Sequence, residues 1–128
     1  MLRWFVVLLW MGLIFALSSI SSLHSPLAAL SDFVLRKLAH IGMYAGLTVL
    51  LFLALERHTA STRHAWLLAV LLAVSYALTD EWHQTWVHGR QGSWRDVGID
   101  TLGIAVSYGL GKATRGFHAV TDAMGSGK

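Results

Sequence analysis

A chain of 128 residues that is 55% apolar and only 13% charged cannot cover itself as a water-soluble domain does, where about 25% of residues are charged. Its ten Lys and Arg stand against seven Asp and Glu, with an isoelectric point near 9.7. They form no basic stripe interleaved with aromatics, which argues against nucleic acid as the partner. With no cysteine there is no disulfide and no thiolate-bound metal, and the length allows one compact domain.

The apolar residues fall into four blocks, which predict an all-α polytopic membrane bundle of about four transmembrane helices. The first runs from Trp4 to about Ser19. Preceded by Arg3 and ending in Ala16-Leu17-Ser18, it also fits a cleaved secretory signal, although Trp4 and Trp10 suit an interfacial anchor equally well. Ser18 to Asp32 is serine-rich and holds the single proline, Pro26. This stretch reads as a loop, its serines included, with Ser31 or Asp32 capping the next helix. Leu38 to Leu55 is the second block, interrupted by His40, Tyr44, Thr48 and glycines. Glu56 to His64 is a polar turn. Ala65 to Leu78 forms the third block and runs into Thr79-Asp80-Glu81-Trp82-His83-Gln84. Thr85 to Arg95 is a loop, and Val97 to Leu110 is the fourth block, apolar except for Asp100 and small residues. Crossing about 30 Å of hydrocarbon takes about 20 helical residues. The blocks reach that length through ends rich in Trp and Tyr, which read mostly as interfacial anchors. Residues 1–112 are thus expected to be one transmembrane domain and 113–128 a flexible polar tail.

Charge sets the expected orientation. Four spans put both termini on one side, with Arg3, Arg57, Arg63, Lys112, Arg115 and Lys128, and leave Arg36, Lys37, Arg90 and Arg95 on the other. The bias places the termini in the cytoplasm and the polar ends of the middle spans outside it.

Those ends carry three polar stretches. Lys37, His40 and Tyr44 share a helical face by their spacing of three and four. In Asp80-Glu81-Trp82-His83-Gln84, Gln84 falls between the two acids, and His83 falls on the far side of Asp80. Arg90, Arg95, Asp96 and Asp100 follow, with Asp96 and Asp100 one turn apart. Gly103, Ser107 and Gly111 below them form a small-residue face for close helix packing. An ionised side chain at the bilayer centre costs roughly 2.5–3.5 kcal/mol. Lys37, Asp80, Glu81 and Asp100 left bare at depth would together cost on the order of 10 kcal/mol, so they must pair, sit near the interface or line a wet cavity.

In order and spacing, Lys37-x-x-His40-x-x-x-Tyr44, Asp80-Glu81-x-His83-Gln84, Gly89-Arg90 and Asp96-x-x-x-Asp100-x-x-Gly103 resemble the VanZ-like family over residues 36 to 111. These are small bacterial membrane proteins whose namesake is associated with teicoplanin resistance. The resemblance implies an envelope role without supplying a reaction. Asp100 stands where the family commonly has asparagine, and His88 where it often has proline.

The reading that follows is an envelope protein that binds, with or without modifying, an anionic lipid-linked or cell-wall-related substrate. Lys37 and Arg90 would hold the anion, and Glu81 and His40 would move protons. Asp96 and Asp100 would position the site, with Asp100 also a candidate catalytic acid, and Tyr44, Asp80 and Gln84 would orient the substrate. Each residue has a plainer role. Glu81 can pin the loop through Arg90 or Arg95, His40 can bond a neighbouring helix, Lys37 can snorkel, and Asp96 can cap the last helix. The alternatives for the whole chain are a small carrier or proton pathway and a non-catalytic assembly protein. A metal held by His40, His83, Asp96 and Asp100 lacks a tight ligand motif, so no cofactor is expected. The sequence leaves enzyme against binder, and the oligomeric state, open.

Overall fold

The computed structural model describes residues 1–20, 34–88 and 93–112 in full, and 26–33 and 113–125 as helical backbone. Four helices account for it: α1 (Leu2–Ser18), α2 (Pro26–Leu55), α3 (Thr62–Gln84) and α4 (Trp94–Gly125). Each is built on one of the four apolar blocks, and the fold is all-α.

Helix ends follow local chemistry. Pro26 opens α2, a position where its fixed φ and missing N–H cost nothing. Ser31 and Asp32 therefore lie within the helix and do not cap it. Ser61 caps α3, its hydroxyl accepting the His64 backbone N–H at 3.3 Å. At the start of α4 the Ser93 hydroxyl accepts the Arg95 N–H at 3.2 Å. Ser93 thus takes the capping role expected of Asp96. Asp96 sits in the first turn, where a carboxylate complements the helix dipole, and its side chain is available to another helix.

The chain alternates direction, so α2 and α4 run parallel, and they form the most extensive helix pair. Glycine makes that possible. A Cβ on Gly103 would run into the backbone carbonyl of Ile41 in α2, and one on Gly111 would strike the Trp66 ring of α3. Small residues also bring α3 in, through a buried stripe of Ala65, Ala69, Ala73 and Ala77 at helical spacing. Around these contacts lie Tyr44, Leu47, Leu51 and Phe52 of α2, Val7 and Ile14 of α1, and Ile104 of α4. Trp66 is buried and stacks on Phe52 with ring centroids 4.1 Å apart. Trp10 packs inward and donates from Nε1 to the Met43 carbonyl at 2.9 Å. Neither is an interfacial anchor, because small neighbours (Gly111 at Trp66, Gly46 at Trp10) make room for the rings.

Many large apolar side chains lie on the outer surface. Leu8, Leu9, Leu71, Leu102 and Leu110 are each more than half exposed, a surface that needs lipid or a partner around it. Val34–Leu55 and Thr62–Gln84 are long and apolar enough to cross a membrane. The 17 residues of α1 reach about 26 Å at 1.5 Å per residue. Trp82, Trp86 and Trp94 stay exposed together at one end of the bundle, as aromatic residues do at a headgroup layer.

Candidate functional site

Alternation of direction brings four segments to that same end: the C-terminus of α1, residues 36–44 of α2, the C-terminus of α3 and the N-terminus of α4. The parallel pair α2/α4 is joined there in two layers. Lys37 forms an ion pair with Asp96, both about one-fifth exposed. One turn deeper, His40 Nδ1 meets Asp100 Oδ1 at 3.0 Å, with Asp100 completely buried. The three-residue step on α2 and the four-residue step on α4 are each one turn, so parallel helices keep both pairs in register. Below them lies the Gly103–Ile41 contact, which sets how closely the two helices approach.

On the other side of the cluster, α3 is tied to α1. Ser18 Oγ donates to Asp80 Oδ2 at 2.7 Å, and Gln84 Nε2 donates to the same oxygen at 3.0 Å. All three residues are buried. Tyr44 is also buried, within electrostatic range of both Asp80 and Asp100. Glu81 accepts the Ser93 backbone N–H through Oε2 at 2.8 Å, so it fixes the start of α4 by its main chain. Among the described residues no ion pair joins it to Arg95. Glu81 also lies in the electrostatic range of Asp96, Asp100 and His40. Glu81 Oε1 and Asp100 Oδ2 are buried without a hydrogen-bond partner. Such groups cost about 1–3 kcal/mol each when left unsatisfied, and where they cluster they mark a place for a donor or a proton.

A pocket of about 230 Å³ reaches this cluster from between α1 and α2. Its walls are apolar (Ile14, Leu17, Met43), and its polar end is made by Ser18, Arg36, His40 and Tyr44. Asp100 engages Nδ1 of His40 and so holds the ring in the pocket wall, the arrangement by which a carboxylate orients a working imidazole. Arg36 also donates to the Ile20 carbonyl at 3.1 Å, closing the rim toward α1.

Of the residues singled out from sequence, His40, Tyr44, Asp80, Glu81, Gln84, Lys37, Asp96 and Asp100 all converge at this end. Arg90 lies outside the described residues. Lys37 is engaged by Asp96, and the cation lining the pocket is its neighbour Arg36. His83 turns away and stacks on Phe15 with centroids 4.0 Å apart. Among the described residues no three His, Asp or Glu side chains are placed to hold a metal. Ser18, expected in a loop, is the last residue of α1 and a buried partner of Asp80. Its signal was its place at the end of an apolar block that must finish at the same face as Asp80.

No curated protein and no solved structure matches the chain. The family model described as VanZ/LLP1 matches residues 3–115, a stretch that takes in α1 as well as the three helices carrying the motifs. The chain belongs to the VanZ/LLP1 family.

Proposed function

We propose that all four helices span the bacterial cytoplasmic membrane with both termini in the cytoplasm, and that the polar end of the bundle is an extracytoplasmic pocket for the headgroup of an anionic, lipid-linked envelope substrate. The observation that carries this reading is His40, held from behind by Asp100, in the wall of a pocket with apolar sides and a polar end. Apolar walls beside Ile14, Leu17 and Met43 suit the proximal part of a lipid chain. Arg36 meets the negative charge of the headgroup at the rim. His40 Nε2, oriented by Asp100, gives or takes a proton there, and Ser18 and Tyr44 supply hydroxyls. A role like that of the family's namesake, lowering teicoplanin sensitivity, follows if the headgroup belongs to a cell-wall precursor.

The test is retention of a polyprenyl phosphate, against the uncharged polyprenol, by the full chain in nanodiscs. Preferential retention of the phosphate that is lost in Arg36→Gln, with chemical change of the headgroup lost in His40→Asn, is the expected outcome. Equal retention of both lipids, or variants indistinguishable from the parent, refutes the site. A second reading, in which the cluster only holds the bundle together, is favoured by Lys37–Asp96, Ser18–Asp80 and Glu81–Ser93, each of which joins two helices. It predicts that His40→Asn lowers stability and activity in the same proportion.

A further inference from the structure

A second pocket, of about 400 Å³, opens between α3 and α4 at the same end of the bundle. Glu81 lines it together with Leu78, Trp82, Trp94 and Val97. Glu81 is only 6% exposed, and while its Oε2 holds the Ser93 N–H, its Oε1 has no partner. Trp82 and Trp94, by contrast, leave 60% and 85% of their surface free.

The chemistry of this set is selective. Indole faces attract cations through the ring quadrupole, and a carboxylate oxygen lacking a donor asks for positive charge or a hydrogen-bond donor. None of the described residues lining the pocket is a cation, and Asp96 and Asp100, which lie in range of Glu81 together with His40, are engaged by Lys37 and His40. An anion would meet the Glu81 carboxylate with no lining cation to pair with. A plain acyl chain would leave Oε1 desolvated with nothing in return. A metal ion would find one carboxylate and no other strong ligand, since indole offers no lone pair. An organic ammonium satisfies both the rings and the acid.

We infer that this pocket binds the ammonium of a membrane lipid headgroup, held between Trp82 and Trp94 and neutralised by Glu81. The lipid source follows from position. The pocket lies at the level of the exposed tryptophans, and Leu78 and Val97 beneath offer apolar surface to the glycerol and upper acyl region. The inference rests on the membrane-spanning reading but not on the His40–Asp100 chemistry, so the two can fail separately.

The experiment offers the full chain, purified in detergent, an equimolar mixture of phosphatidylethanolamine, phosphatidylcholine and phosphatidylglycerol of identical acyl chains, and weighs the retained lipids by native mass spectrometry. The two ammonium-bearing lipids are expected to be retained over phosphatidylglycerol by about tenfold, from one charge pair and two ring faces. Glu81→Gln removes the charge yet keeps an acceptor for the Ser93 N–H, and is expected to abolish the preference. Trp94→Ala, at an exposed ring that no packing depends on, is expected to reduce it about threefold. Displacement of the bound lipid by tetramethylammonium would show that the ammonium alone carries recognition. Equal retention of all three lipids by the parent chain, or an unchanged preference in Trp94→Ala, overturns the inference, and the latter decides it even if Glu81→Gln fails to fold.

Discussion

Replacing Gly103 by alanine separates two opposing effects whose sizes can be stated beforehand. In a helix interior alanine is favoured over glycine by about 0.8–1.0 kcal/mol. At Gly103 the new methyl would meet the Ile41 carbonyl oxygen, a backbone atom that cannot swing aside as a side chain can. Overpacking of that kind typically costs about 1–3 kcal/mol, so the substitution should come out neutral to about 2 kcal/mol destabilising. Gly109 lies on the same helix, and a Cβ there meets nothing within 4 Å. Gly109→Ala keeps only the propensity gain and should stabilise. The two variants should therefore differ by about 1–3 kcal/mol. The assay is equilibrium unfolding in mixed detergent micelles, following helical circular dichroism for both variants and the parent. Forcing α2 and α4 apart also loosens Lys37–Asp96 and His40–Asp100 above the contact, so Gly103→Ala should lose substrate retention beyond its loss of stability. Equal stability of the two alanine variants would refute the close α2/α4 crossing on which the site's geometry depends.

Two further substitutions test the ties between helices. Lys37→Met and Asp96→Leu should each cost more alone than together, with a coupling of about 1–2 kcal/mol, between the values for exposed and buried pairs. A double-mutant cycle by unfolding measures it, and strict additivity would mean that the ion pair contributes nothing. Ser18→Ala leaves Asp80 Oδ2 with Gln84 as its donor and should destabilise by about 1 kcal/mol. A loss of that size would show in the same unfolding assay that α1 is docked on α3; no change would place Ser18 in a solvated position.

The four helices were legible because each contains a long apolar block, and because lipid admits no other backbone solution than helix or closed barrel; α2 and α4 run beyond their blocks, back to Pro26 and on to Gly125. The convergence of Lys37, His40, Glu81, Asp96 and Asp100 was legible from spacing plus alternation of direction, since each polar stretch sits at the same end of its span. What the sequence hid are properties of contact. Whether Lys37 or Arg36 faces the pocket turns on about 100° of helix rotation, which is set by the Gly103–Ile41 crossing and not by local composition. Ser18 looked like loop because serine is common in loops, and only the depth of Asp80 reveals why a buried hydroxyl is needed there. Trp66 and Trp10 read as interfacial because tryptophan usually is. Their burial depends on glycines at positions 111 and 46, more than thirty residues away in sequence. Ser93 displaced Asp96 as cap by one turn of loop geometry that no pattern specifies.

An extracytoplasmic site requires the polar end of a four-span bundle to face out of the cell. The absence of cysteine allows a direct measurement, with single cysteines at two exposed turn positions: His58→Cys between α2 and α3, and His88→Cys after α3. A membrane-impermeant maleimide applied to intact cells should label position 88 and spare position 58, and position 58 should label once the membrane is opened. Labelling of both positions from outside, or of position 58 alone, would contradict the proposed topology and with it the extracytoplasmic site.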